Sequence, residues 1–280
     1  MSLYVPRPGD ILSHDIADFP EGIVLPVDKP YRWTSADVIR KLKWRAIRHF
    51  GKKNLKVGHA GTLDPLATGV LLVCIGNACK RAQQLQDHDK EYIARIRFGA
   101  TTPSYDLEKE VDRTFPFEHI TADAVRAALP AFLGEQEQVA PLFSAKSVDG
   151  VRAYELARKL YRSGRTSELD AAALDTLQRN KVVISELELL QFGESLSPVA
   201  SESEGSASSR INVADTSGLG LPEAMVRIAC SKGTYIRAFA RDLGEALGSG
   251  AHLSSLVRSR SGDFRISDAL SLEQALGLFE

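Results

Sequence analysis

Residues Tyr92-Ile93-Ala94-Arg95-Ile96-Arg97-Phe98 alternate strictly, with Tyr92, Ala94, Ile96 and Phe98 on one side and both arginines on the other. A period of two residues predicts a half-buried β-strand. Val226 to Cys230 alternates in the same way, Val182 to Leu190 is a further strand candidate, and Ile23 to Val27 reads as a short strand ending at Asp28-Lys29-Pro30. Val70 to Ile75 is the longest apolar run and is short enough for a buried strand. Between these runs the period changes. Thr34-Ser35-Ala36-Asp37 has the spacing of a capping box. Val38, Leu42 and Ala46 then recur on the inner side of a helix that reaches about Phe50. Helices are also expected around 78–86, at 121–133 after a Thr121 cap, and at 152–163 up to Gly164. Another follows the turn at Ser231-Lys232-Gly233, with Ile236, Phe239, Leu243 and Leu247 inward and Gly248 at its end. Strands and helices mix without strict βαβ alternation. That order predicts an α+β chain with a central, largely antiparallel mixed sheet flanked by helices.

Composition narrows the class without changing it. The 280 residues are 44% hydrophobic and 25% charged, with a mean hydropathy of -0.14, as in ordinary globular proteins. No stretch approaches the roughly 20 apolar residues that span a bilayer, and the N-terminus has no basic segment followed by an apolar core. A cytoplasmic location is expected. The cysteines at 74, 79 and 230 are odd in number and lie in or beside apolar segments, which suits reduced thiols. Neither their spacing nor that of the six histidines matches a metal site, so no metal is expected. Residues 1–22 read as an irregular arm and 23–265 as the main domain. A Ser-rich insertion spans about 195–223, and 266–280 reads as a short C-terminal tail.

Charge adds a hint. The formal net charge is only -1, but residues 28–56 carry ten Lys or Arg against Asp28 and Asp37, a local excess of +8. Residues 225–265 carry an excess of +4. Two basic segments converging on one face would attract phosphates; taken alone, each is equally a solvated helix face.

The most informative stretch is Gly58-His59-Ala60-Gly61-Thr62-Leu63-Asp64-Pro65-Leu66-Ala67-Thr68-Gly69, read as a Gly-dense loop. It lacks the lysine of a phosphate loop, is no strand–GxGxxG–helix unit, and has no Gly-x-Ser-x-Gly elbow. It offers one carboxylate, framed by glycines that allow close backbone approach and followed by Pro65, which fixes the chain. Asp followed by Pro also suits a helix start, with Asp64 as N-cap. Both readings leave the aspartate rigidly aimed.

This string resembles the signature of the TruB family of tRNA pseudouridine synthases, Gly-His-x-Gly-x-Leu-Asp-Pro-x-Ala-Thr-Gly, matched without a gap. Val27-Asp28-Lys29-Pro30 with Thr34-Ser35 resembles the family's first motif, and Lys90-Glu91-Tyr92 its tyrosine strand. Pro141 to Ala145 with Lys146, Gly150 and Tyr154, then Cys230 to Arg237, then Gly250-Ala251-His252-Leu253, resemble its later motifs. The resemblance implies the pseudouridine synthase fold. It also implies conversion of uridine 55 in the T loop of tRNA to pseudouridine, by an isomerase without cofactor or metal. By the same resemblance Asp64 is the catalytic carboxylate, nucleophile or base, acting on a nucleotide flipped from its stack. Tyr92 is similar to the tyrosine that stacks on the uracil, and Arg237 to the arginine paired with the aspartate. Tyr235 and Leu256 resemble pocket-lining residues, His59 the side chain that fills the space left by flipped bases, and Lys29 a brace for the loop or a phosphate. Without the resemblance, Tyr92 and Leu256 would pass for core, His59 for a turn residue, and Arg237 with Arg241 for a solvated helix face.

Two departures stand out. Arg32 occupies the first-motif position that usually holds glycine, which implies a different loop path or an added phosphate contact. The last motif lies only about twenty residues before Glu280, so the small C-terminal RNA-binding domain of many relatives is expected to be absent or vestigial. A tRNA-folding chaperone and a synthase acting on another RNA are the competing readings. Retention of Asp64, Tyr92 and Arg237 favours live chemistry, and a monomer binding one tRNA is the simplest stoichiometry.

Overall fold

The computed structural model describes residues 3–143, 147–148, 151–165, 179–194 and 211–280. Most of the expected Ser-rich insertion, 195–210, lies outside them, as do Ala145, Lys146 and Gly150 of the motif block. The strands are β1 (Ile23–Lys29), β2 (Val57–Ala60), β3 (Ala67–Ile75), β4 (Lys90–Phe98), β5 (Ala100–Thr101), β6 (Arg113–Thr114) and β7 (Gly134–Gln138). After them come β8 (Ser147–Val148), β9 (Val151–Arg152), β10 (Asn180–Gly193), β11 (Glu223–Cys230), β12 (Ala251–Ser261) and β13 (Phe264–Arg265). The helices are α1 (Ser35–His49), α2 (Ala82–Gln86), α3 (Ala122–Ala128), α4 (Ala153–Arg162), α5 (Ile236–Ala246) and α6 (Leu272–Gly277). The α+β class expected from the mixed periodicities is the observed one.

The chain forms two compact units. The first takes in Met1–Tyr92 and Val257–Glu280, the second Ile93–Ser197 and Arg210–Leu256. In the first unit β3 lies between β1 and β12, with β2 also paired to β3 and β13 to β12. The β1–β3 and β2–β3 pairings are antiparallel; Lys29 stands opposite Gly69, and His59 opposite Val73. All nine residues of β3 are buried, as befits a strand covered on both faces. Val24, Ala60, Val70, Leu72, Cys74, Ala78 and Leu85 form one core cluster there. Helix α1 begins with the full capping box: Thr34 accepts from the Asp37 amide and Asp37 from the Thr34 amide. Val38, Leu42 and Ala46 are buried as its apolar spacing requires. The tail over 266–280 is folded, with a Ser271–Gln274 capping box on α6 and Leu272, Ala275 and Leu276 buried. Phe279 meets Phe50 edge-on at 6.2 Å.

In the second unit the strand order is β12-β4-β11-β10-β7. Strand β4 shows the alternation written in its sequence, with Lys90, Tyr92, Ala94, Ile96 and Phe98 buried. A second cluster, Val139, Ala140, Leu142, Ala153, Ala157 and Leu160, has Tyr235 packed against it. Arg237, Arg241 and the buried Ile236, Phe239 and Leu243 share α5.

Four expectations change at the level of elements. The Gly-dense loop shrinks to residues 61–66, because Gly58 to Ala60 pair with β3 and β3 itself starts at Ala67. No helix starts at Asp64-Pro65; Ala67 instead donates to the Asp64 carbonyl at 3.1 Å, closing a turn. The helix expected near 78–86 is a 3-10 stretch over Gly76–Arg81 followed by α2. Strand β12, which no periodicity announced, is among the longest.

Arg32 has φ +61°, in the left-handed region that glycine favours. The loop after Pro30 therefore adopts a glycine-type conformation with a side chain in place, at a backbone cost of about 1 kcal/mol.

Candidate active site

Asp64 sits on the short link between β2 and β3, half-buried, in a segment held from three directions within the first unit. From α1, the buried hydroxyl of Ser35 donates to the Leu63 carbonyl and accepts from the Leu63 amide, both at 3.0 Å. From β1, the Lys29 ammonium donates to the carbonyls of Pro30 at 3.0 Å, Trp33 at 2.6 Å and Pro65 at 3.1 Å. From β12, the Arg258 guanidinium donates to the carbonyls of Val70 at 2.7 Å, Gly61 at 3.1 Å and Thr62 at 3.4 Å. Two fully buried cations thus grip the backbone on both sides of the aspartate. Buried cations keep their charge only when so partnered.

Two glycines flank the aspartate for different reasons. At Gly61 the left-handed φ of +91° favours glycine, while a Cβ would make only ordinary contact with the Arg258 guanidinium at 3.6 Å. At Gly69, φ +95°, it would overlap the backbone of Arg258. The Gly69 amide donates to Asp28 at 3.0 Å.

The charges are interlocked. Burial pushes Lys29 down to about 7, opposed by the carboxylates of Asp64 and then Asp28. Burial raises Asp28 despite the Gly69 amide. Because Lys29 loses its proton more easily folded than unfolded, the unfolded chain holds more protons between about pH 7 and its ordinary value of 10.5. The cost of ionising the buried lysine is complete below pH 7 and is relieved as pH rises through that window. Urea unfolding at pH 7, 8 and 9 should therefore show a stability term rising by up to about 1.4 kcal/mol per unit. Lys29→Met removes that term; parallel curves for the two proteins would contradict it. His59, half-buried on β2, is held below its usual value by burial and then by the nearby Arg258 charge. Among the described residues its Nδ1 is buried without a hydrogen-bond partner. Both effects favour the neutral imidazole.

Tyr92 is buried on β4. In the second unit, Tyr235 is half-buried, its backbone bracketed by the Gln138 side chain, which accepts from its amide at 2.8 Å and donates to its carbonyl at 3.1 Å. Arg237 is buried, donating to the carbonyls of Ser104 at 3.1 Å and Phe143 at 2.9 Å, with Asp106 3.7 Å away. Arg241 donates to the Val139 carbonyl at 3.2 Å and pairs with Asp242 at 2.7 Å. A solvated helix face for these two arginines is ruled out. Leu256 is half-buried on β12. The structure thus brings Asp64, Lys29 and, through Gly61 and Thr62, Arg258 together; His59 feels the same guanidinium. Ser35 is legible as part of the cap and of the first motif, but its hold on Leu63 is not, and the sequence gives no signal for the roles of Gln138 and Arg258. Arg258 is 196 residues from Thr62 in the loop it holds.

No group of three or more His, Cys, Asp or Glu among the described residues could hold a metal ion. No helix among them is long and apolar enough to cross a membrane.

The architecture defines a class before it defines a family. The chain is similar to the structure titled "Crystal Structure of a Cbf5-Nop10-Gar1 Complex", at a TM-score of 0.57 and 24% identity over 90% of this chain and 53% of that one. It is also similar to "Structure of H/ACA RNP bound to a substrate RNA containing 2'-deoxyuridine", at a TM-score of 0.54, over 90% of this chain and 51% of that one. The fold is the pseudouridine synthase fold. A family model described as "TruB family pseudouridylate synthase (N terminal domain)" matches residues 48–236, and one described as "tRNA pseudouridylate synthase B C-terminal domain" matches residues 237–279. A curated relative from Phocaeicola vulgatus named "tRNA pseudouridine synthase B" is 50% identical over 91% of this chain and 92% of its own length. One of the same name from Deinococcus deserti is 41% identical over 89% of this chain and 77% of its own. The chain belongs to the TruB family of pseudouridylate synthases, and is accordingly an isomerase.

Proposed function

We propose that this enzyme converts uridine 55 in the T loop of tRNA to pseudouridine, with Asp64 as the catalytic residue. The observation that carries the proposal is the complete Gly58–Gly69 signature folded around a half-buried carboxylate on a doubly gripped loop. The relatives' shared name supports tRNA as the substrate. The N1–C1′ bond of the uridine breaks, the uracil turns, and C5 bonds to C1′ while the C5 hydrogen leaves and N1 gains one. Asp64 acts as nucleophile or base toward the glycosyl carbon or a neighbouring atom. Its rigid loop supplies orientation. The target must be everted, since neither C5 nor C1′ is accessible in the folded loop. Tyr92 is the stacking platform, and Tyr235, Leu256 and Arg237 have substrate-site roles. Lys29 braces the catalytic loop and His59 occupies the space the flipped base leaves. The enzyme works in the cytoplasm as a monomer on one tRNA, with no cofactor.

Tritium release tests the site of action, because the C5 hydrogen is lost only when the new carbon–carbon bond forms. Full-length tRNA transcript labelled at C5 of uridine should release one tritium per molecule, and the same transcript with cytidine at 55 should release none. Equal release from both would overturn the assignment to position 55.

A further inference from the structure

The first unit carries a surface that the catalytic loop does not use. Helix α1 buries Val38, Leu42 and Ala46 and turns Arg40, Lys41, Lys43, Trp44 and Arg48 outward. Trp44 is 55% exposed, unusual for the side chain with the largest apolar area to hide. Arg48 and Arg45 lie over its ring at 4.7 and 5.6 Å, and Lys41 lies over Trp33 at 5.1 Å. Trp33, Asp37, Arg40, Lys41 and Trp44 line one open cleft of about 420 Å³.

The neighbouring carboxylates are already engaged. Asp37 belongs to the cap and pairs with Arg40 at 2.6 Å, and Glu280 stands 4.0 Å from Arg45. Among the described residues, Lys41, Lys43 and Arg48 have no carboxylate within ion-pair distance. Stability alone would not place an exposed indole among unneutralised cations. A polyanion with aromatic rings satisfies both features, since phosphates displace counterions from the cations and bases stack on indole. A protein partner would need an acidic surface, and nothing in this cleft selects one.

We propose that the exposed face of α1, with Trp33 just before it, is a second RNA-contacting surface, taking the phosphate backbone of the substrate RNA on Lys41, Lys43 and Arg48 and a base on Trp44. The inference rests on the tRNA-modifying reading above. It has its own test, because the chain's two tryptophans are Trp33 and Trp44. Adding full-length tRNA transcript should quench the intrinsic fluorescence, and Trp44→Phe should remove a large part of that change while keeping affinity. Filter binding across a sodium chloride series should show Trp44→Ala weakening binding about fivefold or more. Lys41→Gln/Lys43→Gln/Arg48→Gln should lower the slope of log affinity against log salt by roughly 2 to 3. These side chains are exposed, so unchanged thermal unfolding serves as the folding control. Unchanged affinity and slope in both variants would overturn the proposal even if the parent enzyme modifies tRNA normally. An inactive parent that shows the altered slopes would instead sink the substrate reading and leave the RNA-binding face standing.

Discussion

Asp64→Asn should lower pseudouridine formation by more than about 10³-fold while changing tRNA affinity by less than about threefold. The substitution keeps size and shape and removes only the charge and basicity that attack on the sugar or proton removal requires. The loop should survive it. Its hold comes from Ser35 on Leu63, Lys29 on Pro65, and Arg258 on Gly61 and Thr62, all through backbone groups that the change does not touch. Lys29 does lose a neighbouring negative charge that favours its ammonium form, so a further drop in its proton affinity is expected, with a small loss of stability near neutral pH. Filter binding with unlabelled competitor checks the affinity half. A folding chaperone that happened to modify RNA would tolerate this variant in every assay except turnover.

The second large effect is expected at Gly69. Gly69→Ala should destabilise the protein by about 3 kcal/mol or more, from left-handed strain of about 1–2 kcal/mol and overpacking of about 1–3 kcal/mol. At φ +95° the new methyl would overlap the Arg258 carbonyl oxygen and lie 2.8 Å from its carbon and nitrogen, all backbone atoms that no rotamer change can move. Gly69 also faces Lys29 in the β1–β3 ladder and donates to Asp28. Any shift reaches the cations that fix the aspartate. Activity should therefore fall along with the urea midpoint. Gly51→Ala is the control: φ is also left-handed there, at +60°, but a methyl would meet nothing within 4 Å, so only the local strain should appear.

Gly69 also shows what the sequence made legible and what it did not. Three glycines around one aspartate announced a special backbone, and the aspartate stands where that backbone is most constrained. The extent of the loop is not legible, because glycine and histidine at 58–59 look like loop residues until β3 pairs with them. Strand β4 was plain, since its burial follows a period of two without a break. Strand β12 was hidden by Ser254, Ser255, Arg258, Ser259 and Arg260, polar residues that a strand tolerates only when partners await them. Arg258 finds three carbonyls, Ser259 finds Glu91 at 2.8 Å, and Ser254 finds Glu223. Those partners are far away in sequence, so periodicity cannot foresee them. Arg32 holds φ +61°, a conformation that glycine favours, with a side chain in place, and nothing in its sequence neighbourhood announces that. The motifs single out Asp64 and Lys29 as candidates; that Lys29 and Arg258 hold the loop through backbone carbonyls is visible only in the fold.

Single-turnover tritium release from C5-labelled tRNA, with enzyme in excess and parent and Asp64→Asn chains compared at equal occupancy, isolates the bond exchange from binding and product release. A fast burst for the parent and a flat baseline for the variant is the predicted pair of traces. A variant burst within tenfold of the parent's would mean that the isomerisation does not depend on this carboxylate.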